Sequence, residues 1–241
     1  MSTFVNLELT CNHCHGRFQV EAAQSLQIRR FPEYREQILD GVFNHFRCPH
    51  CERLAVVEPR LLYTDFERFH WLVAWPGHAL RYRAALGEKM AASFHKNMVV
   101  SCPPLVRSWA PRFTRRMVFG LPQLREKLLI FDHELDDRLI EALKLRILQS
   151  GRWGKLSIHS SLLFEGMEGV GLRFRYTGPQ GPDRMAVSLR FTVNAYRYTE
   201  LAERRPHLEQ QMPELFGGLT VDWRGALLPP APLPPEEYAA L

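Results

Sequence analysis

Cys11-Asn12-His13-Cys14, followed by His15-Gly16, and Cys48-Pro49-His50-Cys51 are the stretches that decide how this chain is read. Each is a Cys-x-x-Cys pair on a tight turn, and each stands where one strand-like stretch ends and another begins. Two such turns supply four thiolates, the closed tetrahedral shell that Zn²⁺ takes in structural sites, with no position left open for a substrate. The reading is one structural Zn²⁺ held by Cys11, Cys14, Cys48 and Cys51. His13, His15 and His50 lie in or beside the turns and, with the shell complete, are expected to be exposed side chains. The competing chemistry, a pair of redox dithiols, needs a strand–helix–strand setting around an exposed thiolate, and neither pair has one. The fifth cysteine, Cys102, sits in Val99-Val100-Ser101-Cys102-Pro103-Pro104 and is expected to be a buried, inert thiol.

Outward from the first pair, Val5, Leu7 and Leu9 alternate with polar residues, the period of a half-buried strand, and Phe18 to Glu21 returns from the turn. Phe31 to Gly41 has Pro32 at its start, acids in its first turn and glycine at its end, which predicts a short helix inserted between the two turns. Strands are expected at Val42 to Arg47 and Leu54 to Glu58 around the second pair, then at Leu61 to Tyr63 and Phe69 to Trp75.

His78 to Asn97 predicts a helix, Ser101 to Arg116 an irregular segment and Arg116 to Phe119 a strand. Leu124, Leu128, Phe131, Leu135, Leu139 and Leu143 recur at helical spacing up to about Gln149, with a break near Asp132. Beyond Gly151 strands are expected at Leu156 to Ser160, Val170 to Tyr176 and Met185 to Val193, with a turn over Gly178 to Asp183. Thr199 to Leu215 reads as a helix interrupted by Pro206, and Leu219 to Trp223 as a last strand. Leu228 to Pro235 is proline-rich and predicts an extended tail with two overlapping PxxP elements.

The expected fold class is therefore α+β: a zinc-ribbon-like antiparallel β part at the N-terminus with a helical layer, then a strand-rich C-terminal region. The expected division is residues 1–149, comprising a ribbon over 1–76 and a helical part over 77–149, and residues 150–241 with the proline-rich tail. The composition, 46% hydrophobic and 24% charged with a formal net charge of +5, is that of an ordinary globule. So small an excess of positive charge does not by itself indicate nucleic acid, for which clustered cations are the signal. The first residues lack a positively charged leader with an apolar core, and no apolar run approaches the length of a bilayer crossing. A soluble cytoplasmic protein without membrane association is expected, a compartment where thiols stay reduced and paired cysteines hold metal.

One segment does interleave cations with rings. Arg107, Trp109, Arg112, Phe113, Arg115 and Arg116 have the mixture that contacts phosphate and stacks on bases, and they are the candidate nucleic-acid-binding residues. The acids Asp132, Glu134, Asp136, Asp137 and Glu141 are explained by helix capping and salt bridges, and Glu126 with Lys127 by a structural polar pair. No phosphate-binding glycine loop, nucleophile elbow or HExxH element is present in the sequence.

The two Cys-x-x-Cys turns together resemble the bacterial CpXC family, named for its Cys-Pro-x-Cys element, here Cys48-Pro49-His50-Cys51. Leu62-Tyr63-Thr64-Asp65 is similar to that family's Leu-Tyr-x-Asp segment. Leu124-Arg125-Glu126-Lys127-Leu128 is similar to its Leu-x-Glu-Lys-Ile helix, and Leu135-Asp136-Asp137-Arg138 to its Leu-Asp-Asp-Arg helix. The resemblance covers about residues 3 to 148 and departs at the first turn, with Asn12 where proline is usual and His15 where glycine often follows. It implies that the ribbon and the following helices form one unit, and it brings no catalytic residue with it. The function expected is a zinc-stabilised binding or scaffolding protein that recognises a protein partner and is not an enzyme. Nucleic-acid binding is the first alternative, and an enzyme using the C-terminal region the second.

Overall fold

The computed structural model of the protein describes residues 2–150, 160–180 and 185–232. These residues divide into two compact units, one running to Leu80 and including Ala85–Leu124, the other made of Arg81–Ala84 and Arg125–Pro232. The α+β class read from the sequence is the observed one.

In the first unit, β1 (Thr3–Thr10) and β2 (Arg17–Gln27) form an antiparallel hairpin whose turn carries the first cysteine pair. α1 (Pro32–Asp40) follows, with Pro32 in its first turn and Gly41 closing it at φ 74, where the glycine N–H returns to the carbonyls of Gln37 and Ile38. β3 (His45–Arg47) and β4 (Leu54–Val56) make a second, smaller hairpin around the second pair. β5 (Leu61–Asp65), β6 (His70–Trp75) and β7 (Thr114–Phe119) complete a five-stranded sheet of order β1-β2-β5-β6-β7.

The expected antiparallel pairs are joined into that sheet by two parallel ones, β2 with β5 and β6 with β7. Parallel neighbours need long crossovers. The first crossover holds α1 and the β3–β4 hairpin; the second holds α2 (Arg83–His95), a π-helical turn at Lys96–Val100 and α3 (Pro104–Trp109). All six residues of β6 are buried, as a strand covered on both faces must be. Leu86, Met90 and Phe94 recur at steps of four along α2 and are its buried face, and Phe94 meets Trp71 of β6 edge-on at 5.2 Å.

The helix expected over 78–97 begins instead with a 3₁₀ segment, Gly77–Tyr82. The segment expected to be irregular is largely helical. α3 starts at Pro104 and a 3₁₀ turn, Ala110–Arg112, carries Pro111 near its start, because proline's missing N–H and fixed φ suit a first helical turn.

In the second unit, α4 (Leu121–Asp132, of which the residues from Arg125 belong here) and α5 (Asp137–Gln149) break near Asp132 as the spacing predicts. Asp136 caps α5, its carboxylate accepting from the N–H of Arg138. The sheet is an antiparallel meander of β8 (Ser161–Glu168), β9 (Gly171–Gln180) and β10 (Met185–Asn194), of order β10-β9-β8. The strand expected at 156–160 lies, Ser160 apart, outside the described residues, as do 181–183 of the expected turn and 233–235 of the expected tail; Ser160 itself is not in a strand.

α6 (Tyr196–Glu203), α7 (Arg205–Gln211) and α8 (Pro213–Gly217) replace the single interrupted helix, with Pro206 in the first turn of α7. No strand forms over 219–223. Asp222 instead caps a 3₁₀ turn, Trp223–Leu227, by accepting from the N–H of Arg224.

The core of this second unit joins Ile130, Leu139, Ile140 and Leu143 of the helices to Leu162, Phe164, Leu172 and Phe174 of the sheet. Five charged side chains are sealed inside it: Glu126, Lys127, Asp137, Glu141 and Lys144, each 1% exposed. The Lys144 ammonium lies 2.6 Å from Glu126 Oε1 and 2.7 Å from Glu141 Oε1; that of Lys127 lies 3.1 Å from Asp137 and 3.4 Å from Glu141. Glu126 also accepts from the Phe164 N–H, and Glu141 from the Trp223 N–H, so the charges tie both helices to the sheet and to the closing turn. Burial pushes the Glu126 carboxyl above its ordinary value against the pull of Lys144.

Candidate metal centre

Both cysteine turns are built on the same hydrogen bonds. In the first, Cys11 N–H donates to the Gly16 carbonyl at 3.0 Å and His15 N–H to the Cys11 carbonyl at 2.9 Å. In the second, Cys48 N–H donates to Arg53 at 2.9 Å and Glu52 N–H to Cys48 at 2.8 Å. Such a turn sends both of its cysteine side chains the same way. The residue after each pair, His15 and Glu52, takes φ 58, the left-handed conformation that glycine adopts without strain.

The turns face each other and their sulfurs converge. Cys11 Sγ lies 3.6 Å from Cys51 Sγ and Cys14 Sγ 3.6 Å from Cys48 Sγ, each close pair joining the two turns, and all four sulfurs fall within 4.8 Å of one another. Four thiolates at Zn–S distances of about 2.3 Å stand about 3.8 Å apart at the corners of a tetrahedron, so the donor set fits one such ion. The cysteines are free thiols, with Cys11 and Cys48 buried, Cys51 half-buried and Cys14 exposed.

The electrostatics of the cluster call for a cation. The N–H groups of Cys14 and His13 point at Cys11 and hold its thiol down to about 6. At Cys51 the Arg53 N–H acts in the same direction, but burial and the neighbouring sulfurs outweigh it and push that thiol up to about 12. Four adjacent sulfurs cannot all carry charge unaided, and a dication at their centre removes the conflict.

Behind the sulfurs, Phe18 and Val20 of β2 pack with Cys11 and Cys48, flanked by Leu7, Leu9, Phe46 and Ala55. His13, His15 and His50 are exposed, as expected. His50 has a role that the spacing did not disclose. Its Nε2 lies 3.2 Å from the Arg17 carbonyl, and its ring lies against Gly16 where any Cβ would collide. The second turn is thereby latched onto the first independently of the sulfurs. Cys102 stands outside the cluster and is half-buried.

The interleaved cation and ring segment is drawn into the first unit's packing. Phe113 is buried, with ring centroids 5.4 Å from Phe66, 5.5 Å from Phe69 and 6.1 Å from Phe94. Trp109 meets Phe66 at 6.4 Å. Arg112 stacks over Phe69 at 3.7 Å and Arg115 over Phe94 at 5.0 Å, while Arg116 donates to the Arg115 carbonyl. The rings of this segment thus pack on Phe66, Phe69 and Phe94 outside it, and Arg107, Arg112 and Arg115 are exposed.

Among the described residues no helix is long and apolar enough to cross a membrane. The family model described as CpXC protein matches residues 9–144, a span that holds both cysteine turns, β2, β5, β6 and β7 of the first unit's sheet, and α4 with most of α5. No curated protein and no solved structure matches the chain.

Proposed function

The chain belongs to the CpXC family, and from that membership we propose that it is a zinc-stabilised binding module whose ribbon presents a β surface to a protein partner. Cys11, Cys14, Cys48 and Cys51 would hold one structural Zn²⁺, which offsets half of the charge on four thiolates and cross-links the β1–β2 and β3–β4 hairpins. A closed shell of four sulfurs offers a substrate no coordination position, so the ion's part is to fix geometry.

The observation that carries partner recognition is the outer face of the small hairpin. Ala55 of β4 turns inward onto the sulfur cluster, so the solvent face falls to Leu54 and Val56, which are 55% and 53% exposed. Val42, in the turn leading to β3, is 50% exposed. The solvent side of a two-stranded hairpin is ordinarily polar, and apolar residues kept there mark an interaction surface. Metal rigidity lowers the ordering cost of docking on such a surface.

The test immobilises the full chain, the Leu54→Lys/Val56→Lys double variant and the chelator-treated protein side by side. The reading expects about one zinc per chain by elemental analysis, and a protein captured by the untreated wild type and lost from both other samples. Capture that is indifferent to both changes, or co-purified nucleic acid in place of protein, would overturn it. The nucleic-acid outcome would redirect attention to Arg107, Arg112 and Arg115.

A further inference from the structure

Within the first unit, a cavity of ≈ 380 Å³ lies between the face of the sheet that carries Leu62, Trp71, Val73 and Trp75 and the last turns of α2. It is large enough for a small organic ligand. Its floor is two indoles separated by Val73, and its walls carry three cations, Arg60, Lys89 and Lys96, with no aspartate or glutamate among the lining residues.

Arg60 is the telling side chain. It is half-buried, its Nε is shielded from solvent without a hydrogen-bond partner, and its guanidinium rests over the Trp75 ring at 5.5 Å. Among the described residues no carboxylate lies within ion-pair distance of it, and burial holds its pKa below the usual arginine value. A cation kept partly out of water with no counter-charge is unfavourable for stability alone. Trp71, 4% exposed, also lines the cavity, and its indole N–H has no hydrogen-bond partner.

The cavity's rim is itself unusual in backbone. Lys96 and Asn97 belong to the π-helical turn that ends α2, where Ser101 N–H reaches the Lys96 carbonyl at 2.8 Å. π-helical turns are rare and recur at functional sites. Here the wider turn coincides with the cation at the cavity's edge.

We propose that this cavity binds a small planar organic acid, its flat apolar body on Trp71 and Trp75 and its carboxylate between Arg60 and Lys96. The apolar floor excludes simple inorganic anions as the natural fit, and the uncompensated guanidinium of Arg60 selects an anion over a neutral molecule. This site stands apart from the partner surface proposed above and does not depend on it.

Isothermal titration of the full chain with 2-naphthoate tests the assignment. Saturable one-to-one binding with Kd below about 1 mM is expected. The neutral isostere 2-naphthamide is expected to bind about tenfold more weakly, and Lys96→Gln and Arg60→Met each to weaken the acid about five- to tenfold. Lys96 is exposed, so Lys96→Gln leaves the fold intact. Arg60→Met removes an unbalanced charge and is expected to hold or raise the thermal midpoint while binding falls. Absence of saturable binding, equal affinity for acid and amide, or unchanged affinity in both variants would each overturn the proposal.

Discussion

His15 and Glu52 occupy the same position in two separate turns, one residue past the second cysteine of each pair, and both adopt φ 58. A side chain in the left-handed region costs about 1–2 kcal/mol, which glycine avoids at some cost in unfolded-state entropy. His15→Gly and Glu52→Gly are therefore each expected to stabilise the protein by about 1 kcal/mol. Chemical denaturation of the single variants measures this, and unchanged or lowered midpoints would count against the strain. Neither side chain bonds to a sulfur, so metal content should stay the same.

Removing the metal should loosen the ribbon before the rest. Structural zinc contributes an apparent ~10–16 kcal/mol in small zinc-finger peptides, so chelation is expected to expose the amides of β1, β3 and β4 to hydrogen exchange. The antiparallel sheet of the second unit should keep its protection. Cys48→Ser, which removes a buried sulfur, is expected to reproduce the chelated pattern; full protection in that variant would separate the fold from the ion.

Phe113 and Arg107 separate packing from surface within a single segment. Phe113→Ala opens a cavity among Phe66, Phe69 and Phe94 and is expected to cost about 3–5 kcal/mol. Arg107→Ala, on an exposed side chain, is expected to change stability by less than about 0.5 kcal/mol. Thermal unfolding of the two variants checks the contrast.

Lys144 is the hub of the sealed charges in the second unit, touching Glu126 and Glu141 at once. Truncating it leaves three buried acids, Glu126, Asp137 and Glu141, to share the one cation of Lys127, and Lys144→Ala is expected to destabilise by about 3–5 kcal/mol. Equilibrium unfolding in urea checks this.

Glu126 should behave differently because its folded pKa is raised above the ordinary 4.5. With Lys127, Lys144, Asp137 and Glu141 charged, a protonated Glu126 makes the five-residue group neutral. The native state then holds this proton to higher pH than the unfolded chain does. Its contribution to stability is full below 4.5 and is lost as pH rises through the elevated folded value. Glu126→Gln mimics the protonated form and is expected to flatten the fall in stability above pH 4.5. A variant whose pH profile matches the wild type would remove Glu126 as the titrating group.

What was legible in the sequence follows from how local each signal is. The cysteine turns, α1 with Pro32 and Gly41, and the break near Asp132 all rest on residues within a few positions of one another, and each has its counterpart in the structure. The 101–116 stretch shows no helical spacing long enough to read, yet Pro104 and Pro111 open short helical turns there. β8 escaped notice because Gly166, at φ 130 beside a bulge, interrupts the alternation of Leu162 and Phe164. The 219–223 strand failed because Asp222 finds a nearer partner in the Arg224 N–H. Pairings between distant residues, such as His50 on Gly16 or Arg60 over Trp75, leave no local trace and needed the fold to be seen.

All four sulfurs lie within the first 51 residues, whereas β5, β6 and β7 follow them. A ribosome adds about 5–20 residues each second, so an ion held there could be captured before β5 is made to pair with β2 and seconds before β7 is made. An ion held by the four sulfurs would then be an inorganic clasp closed before the five-stranded sheet is complete. Nascent chains halted just past the second turn should already retain it.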